Sequence, residues 1–137
     1  MRYVVKIEPD GDGFMASFPE IREALTGGAT REETLELAKD ALITALDFYF
    51  DDRRTVPLPR KAKKEEDVIE LPVSLWAKVL LLNEMVRQQV RPAELARKLG
   101  TSAQEVARLV NLKHTTKVDS VQDALQALGK RMDLGLA

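Results

Sequence analysis

Cysteine is absent from this 137-residue chain, and histidine occurs once, at His114. Without thiols there is no disulfide framework, and a zinc site lacks its usual thiolate ligands. A single histidine in a polar, basic loop cannot build a multi-histidine metal site. Nor does it fit a Ser-His-Asp set. No phosphate-binding glycine loop of a known pattern is present, because Gly27-Gly28 is too short to form one. No apolar run approaches the roughly 20 residues that span a bilayer. The opening MRYVVKIEPD has no apolar segment of the kind a secretory leader needs. These absences predict a cytoplasmic protein with no metal, no cofactor, no catalytic residue and no membrane partner.

Apolar residues make up 45% of the chain, enough for one or two small cores. The net charge of −1 hides an asymmetry. Residues 1–71 carry 11 Lys+Arg against 16 Asp+Glu, a net −5, while residues 72–137 carry 10 against 6, a net +4. A basic half is what phosphate binding requires.

That basic half contains the most informative stretch, PAELARKLGTSAQEVARLVN at residues 92–111. Leu95, Ala96 and Leu99 recur at helical spacing. Gly100 stands where the chain must reverse, and glycine tolerates the left-handed backbone of a helix C-terminus. Ser102 is placed to cap a second helix, with Glu105 three residues on completing a capping box. Val106, Leu109 and Val110 turn the second helix back onto the first. The pattern is a helix-turn-helix, whose second helix is built to enter a major groove of duplex DNA. An apolar helix over 74–89 precedes it. Thr115, Thr116 and Lys117 follow it, then a helix over 119–128 ended by Gly129. The runs LARKLGTSAQEVARLVN and DALQALGK resemble the phage-repressor (Xre-type) class of DNA-binding domains.

Within this motif, Gln104 lies in the first turn of the second helix and Arg108 one turn later on the same side. Gln pairs bidentately with adenine and Arg with guanine, so both are base-contact candidates. Glu105 is a third, with capping as its competing role. Arg97, Ser102, Lys113, Thr116 and Lys117 are the phosphate-contact candidates. One such domain reads only a few base pairs, which predicts a homodimer or higher homo-oligomer. In Val79-Leu80-Leu81-Leu82, three adjacent leucines cannot all face one small core. One is therefore available to a partner subunit, with deep burial in a single domain as the alternative.

In the acidic half, Tyr3, Val5 and Ile7 alternate with Arg2, Val4 and Lys6 as a strand. Pro9-Asp10-Gly11-Asp12-Gly13 reads as a turn. Phe14, Ala16 and Phe18 alternate as a second strand, and residues 23–27 offer a short third. Thr30 is placed to cap a helix, with Glu33 completing its capping box. Leu35, Ala38, Leu42, Ala45, Leu46 and Tyr49 form the face of that helix. Ile43 and Phe48 lie off it, which predicts burial elsewhere in the core or against a subunit. Residues 53–66, with Arg60-Lys61-Ala62-Lys63-Lys64, read as a solvated basic linker. DNA contact is a lesser possibility for that run. A last strand is expected over 68–71. The fold class is thus α+β: a β-β-β-α-β domain at 1–71, linker included, then an all-α helix-turn-helix domain at 72–137.

The stretch EALTGGATREETLELAKDALITALDFYFDD and the later VPLP resemble the HicB family of antitoxins. The shared features are the strand–turn–strand opening, TGG before a capped helix, that helix's aromatic end and the proline pair after it. The resemblance implies a partial ribonuclease-H-like N-terminal domain that binds and neutralises HicA, a small mRNA-cleaving toxin. It also implies a C-terminal domain, here helix-turn-helix, that represses the operon through operator double-stranded DNA. Which residues within 1–71 touch the toxin is not legible.

A ribonuclease-H-like fold raises the question of nuclease activity, which needs carboxylates gathered around two metal ions. The opening strand offers Arg2 and Lys6 instead of an acid. Glu8, Asp10 and Asp12 cluster near a turn, where Asp is common for local reasons. Asp40 and Asp47 on the helix, and Asp51 and Asp52 at its end, read as a solvated face. The chain is therefore expected not to be an enzyme. The competing binding function is a repressor whose N-terminal domain senses a small molecule.

Overall fold

The computed structural model describes residues 1–137, which form two compact units. The first unit comprises Met1–Tyr49 and Pro57–Pro72; the second comprises Phe50–Val56 and Val73–Ala137. The chain is of the α+β class, in the order β-β-β-α-β followed by four helices. No helix is long and apolar enough to cross a membrane.

In the first unit, β1 (Arg2–Asp10), β2 (Gly13–Ser17), β3 (Leu25–Gly28) and β4 (Asp67–Glu70) form one antiparallel sheet in the order β3-β2-β1-β4. The first turn is tighter than the sequence suggests. Pro9 pairs with Phe14 and Asp10 with Gly13, so only Gly11 and Asp12 are left in the hairpin loop. Gly11 supplies the positive φ (59°) that such a loop demands. The third strand begins two residues later than the sequence suggests, because residues 18–24 form a loop instead. Phe18, Ile21 and Ala24 fill the core there, and short backbone bonds tie Ile21 to Phe18 and Ala24 to Ile21. Tyr3, Val4 and Val5 are all buried, so this end of β1 is covered on both faces.

Helix α1 (Arg31–Asp51) starts at the predicted cap, where the Thr30 hydroxyl accepts the Glu33 N–H at 3.1 Å. The reciprocal half of the box is displaced by one residue: the Glu33 carboxylate accepts from Ala29, not Thr30. Ala38, Leu42, Ala45, Leu46 and Tyr49 are buried as the spacing requires, while Leu35 is half-buried. Ile43 is half-buried, while Phe48 departs from the core alternative and not from the subunit one. It is 53% exposed, since the buried row at three-and-four spacing runs past it on the other side of the helix.

The stretch at 53–66 is not a free linker. Val56 is fully buried in the second unit. In the first unit, Glu66 binds the Arg60 guanidinium at 2.9 and 2.6 Å and accepts the Lys63 N–H at 2.8 Å. The Arg60 N–H is held in turn by the Glu20 carboxylate. That bidentate pairing holds the Glu66 carboxyl down at about 2, below the usual carboxylate range. The last strand starts at Asp67, one residue early, and Leu71 lies just beyond it with its N–H on the Met1 carbonyl.

The second unit is built from α2 (Val73–Gln88), α3 (Pro92–Leu99), α4 (Ala103–Leu109) and α5 (Val118–Ala127). One core unites them, formed by Ala77, Leu81, Met85, Val90, Leu95, Val106, Leu109, Val121 and Leu125 among others. Three of these helices end in the same way. After α3, the N–H of Gly100 reaches Arg97 and that of Thr101 reaches Ala96; after α5, Gly129 and Lys130 repeat the pattern on Gln126 and Leu125. After α2 it is Gln89 and Val90, on Val86 and Met85. These are Schellman closures, which place one residue in the left-handed region. Gly100 (φ 66°) and Gly129 (φ 79°) do so freely, whereas Gln89 (φ 57°) carries a side chain there.

Candidate nucleic-acid interface

α3 and α4 lie on either side of a left-handed turn at Gly100, at the positions the spacing over residues 92–111 predicts. The Ser102 hydroxyl accepts the Glu105 N–H at 3.2 Å and starts α4. Val106 and Leu109 point into the core, and Val110 packs half-buried against it. The remaining positions of α4 face solvent: Gln104, Glu105, Ala107 and Arg108 are all exposed. The Glu105 carboxylate does not return to the Ser102 N–H to complete the capping box. It pairs instead with the Arg108 guanidinium at 2.5 Å, one turn along.

The loop after α4 curls back toward this surface. His114 Nδ1 lies 3.2 Å from the Thr116 hydroxyl, and the Asn111 side chain accepts the Lys113 N–H at 3.0 Å. Glu105, Arg108, His114, Thr116, Lys117 and Asp123 consequently border one concavity of about 350 Å³. Of the residues singled out from the sequence, Glu105, Arg108, Thr116 and Lys117 are thus brought together. Gln104 and Ser102 stand exposed at the start of α4, Arg97 is exposed on α3, and Lys113 is exposed in the loop.

Sequence reasoning overlooked Lys78. It lies on α2, is 1% exposed, and buries its ammonium beneath the end of α4. Its Nζ donates to the carbonyls of Arg108 (3.1 Å), Asn111 (2.7 Å) and His114 (2.6 Å). Burial pushes its pKa below the ordinary lysine value. The available signal was its spacing: the residues three and four further on are Leu81 and Leu82, both core.

A second concavity of the helical unit, about 300 Å³, is apolar, with Val73, Trp76, Leu80, Leu125 and Met132 among its walls. Of the leucine run, Leu81 and Leu82 are fully buried while Leu80 is half-buried on this wall. No three His, Asp or Glu side chains anywhere in the chain are placed to hold a metal ion.

Comparison with known proteins decides the family. The model of the HicB-like antitoxins of bacterial toxin-antitoxin systems matches residues 2–80. This chain belongs to the HicB-like antitoxin family. It is 55% identical over 134 residues to Antitoxin HicB 2 of Photorhabdus laumondii, covering 98% of this chain and 95% of the relative. With Antitoxin HicB of Escherichia coli K12 it is 49% identical over 135 residues, covering 98% of each. Antitoxin HicB of Pseudomonas fluorescens is 40% identical over 135 residues, or 98% of this chain and 92% of the relative. The family match spans the first unit from Arg2 onward and the start of α2, so the TGG before α1 falls inside it. That motif has a steric basis here. A Cβ on Gly28 would lie 2.8 Å from the Thr34 hydroxyl oxygen and 3.1 Å from the Thr34 nitrogen, and Thr34 is fully buried.

Proposed function

We propose that this HicB-family chain has two binding roles and no catalytic one. It neutralises a small mRNA-cleaving toxin of the HicA type, and it represses its own operon by binding operator DNA, both in the cytoplasm. The toxin role follows from family membership together with charge. A ribonuclease must present positive charge to its RNA, and the residues before α2 carry a net −5 with which to cover and attract such a surface. The observation that carries the DNA role is the Ser102-capped α4, which exposes Gln104 in its first turn and sets Arg108 with Thr116 and Lys117 at the rim of one concavity. In this reading Arg108 leaves Glu105 for a guanine edge, and Arg97, Lys113 and Lys117 take phosphates.

Two chains act together. Two-fold pairing sets recognition helices about 34 Å apart, one turn of the duplex. The apolar wall at Trp76 and Leu80 is the surface offered for that pairing.

The test uses a duplex spanning the region upstream of the chain's own gene and a random duplex of equal length. Arg108→Ala is expected to cost roughly 1–3 kcal/mol on the first and to relax sequence choice, while Lys117→Ala weakens both alike. Equal effects of both variants on both duplexes would overturn the assignment. For the toxin role, RNA cleavage by the product of the adjacent gene should stop when this chain is added in equimolar amount.

A further inference from the structure

We propose that Lys78 is the positioning residue for operator recognition: from inside the core it fixes α4 and the 111–116 loop as one body. This rests on the DNA-binding reading above. The last carbonyls of a helix have no partner within the helix and carry the negative end of its dipole. At the end of α4 a side chain from α2 adds to what nearby amides supply, where the Asn111 N–H reaches the Arg108 carbonyl at 3.3 Å and the His114 N–H reaches the Asn111 carbonyl at 3.1 Å. One ammonium has three protons, and each finds a carbonyl: Arg108 in the last turn, Asn111 just after it, and His114 in the loop. No carboxylate takes part in this set.

The three acceptors have a common property. Arg108 carries a base-contact candidate on its own side chain. Asn111 holds the N–H of Lys113, and the His114 ring contacts Thr116. Lys78 therefore sets, through three backbone carbonyls and the Asn111 and His114 side chains attached to two of them, where one base reader and two phosphate candidates stand relative to one another. A methionine of similar length fills the space but donates to none of the three carbonyls, which keep only their longer bonds from the Asn111 N–H, the His114 N–H and the Thr116 hydroxyl. A base-reading side chain displaced by even an ångström loses its bidentate geometry, whereas phosphate contacts tolerate such drift.

The consequence is a signature that a phosphate-binding lysine does not share. In Lys78→Met, affinity for the upstream duplex should fall at least tenfold, while affinity for the random duplex changes less than twofold. The slope of log K against log salt should stay as in the unaltered chain, because Lys78 touches no phosphate. Loss of a phosphate contact lowers that slope by about 0.9. Leu81→Ala, a core truncation on the same helix, serves as the stability control and should keep the ratio between the two duplexes. A folded Lys78→Met with an unchanged ratio would overturn the proposal, as would a ratio lost equally in Leu81→Ala. So would a slope reduced by about one.

The unaltered chain supplies a measurement that survives misfolding of the variant. The Lys78 ammonium protons should exchange slowly enough to give a resolved nitrogen-correlated NMR signal, with and without DNA. Exchange as fast as that of an exposed lysine would overturn the proposal. If the unaltered chain fails to prefer the upstream duplex, the DNA-binding reading itself falls. The ammonium signal still reports on the clamp in that case.

Discussion

Asn83 treats Val56 as a neighbouring strand would. Its Oδ1 accepts the Val56 N–H at 2.7 Å and its Nδ2 donates to the Val56 carbonyl at 2.9 Å. Both backbone groups of a buried residue are satisfied by one side chain, from a helix 27 positions further on. Asn83→Ala removes two hydrogen bonds and leaves both backbone groups short of partners, so a loss of about 2–3 kcal/mol is expected. Urea unfolding followed by circular dichroism measures it. A loss under 0.5 kcal/mol would mean that water replaces the amide at no cost.

The same segment changes where the chain can be cut. Phe50–Val56 belongs to the helical unit, where Arg53 also donates to the Val90 carbonyl at 2.8 Å. A fragment of residues 73–137 therefore lacks part of its own structure. Covering Phe50 and Val56 is worth roughly 1.5–3 kcal/mol apiece, as an upper estimate for a flexible terminal segment. The fragment 50–137 should melt clearly above 73–137 in parallel calorimetric scans. Coincident melting curves would show the segment to be dispensable.

Helix closure offers opposite outcomes at two equivalent sites. Gln89→Gly relieves a side chain in the left-handed region and should stabilise by about 0.5–1 kcal/mol. Gly100→Ala imposes that strain and should destabilise by about 1 kcal/mol. Nothing lies within 4 Å of the added Cβ at Gly100, so its cost is conformational and not steric. Chemical denaturation of both variants tests the sign. Two changes of the same sign would contradict the shared geometry.

What was legible in the sequence was local. Gly100, Ser102 and the apolar spacing of α3 and α4 declare themselves within twenty residues, because caps and turns are made by near neighbours. The same holds for Thr30 and the buried row of α1. What escaped depends on distant partners. Lys78 shares the helical spacing of Leu81 and Leu82, but its acceptors are backbone carbonyls 30 to 36 positions away, and backbone leaves no mark in a sequence. Val56 sits between charged residues and prolines, and only Asn83 reveals that it is core. The Glu105 carboxylate was readable as a cap or as a reader of bases. The structure gives it to Arg108, a partner at helical spacing that competes equally well on local grounds.

The half-buried Leu80 marks where self-association is to be sought. Leu80→Glu places a charge on the wall shared with Trp76 and leaves Leu81 and Leu82 in the core. Light scattering at micromolar concentration should then report a monomer, with circular dichroism unchanged. Operator affinity should drop by at least tenfold through the lost second half-site. An intact dimer would move the interface elsewhere.

The interleaving of the two units also dictates an order of events at the ribosome. β1 waits for β4, which is made more than fifty residues later, so the sheet cannot close until the 53–66 stretch has already emerged. Phe50–Val56, however, has no resting place until α2 has followed with Asn83. Until β4 emerges the chain carries both a bare aromatic-rich helix end and an unfinished sheet edge, the combination most open to wrong partners. A nascent chain of this kind is least protected just before β4 leaves the exit tunnel. Slow elongation while residues 56–70 emerge would lengthen that exposure, and rapid passage would shorten it.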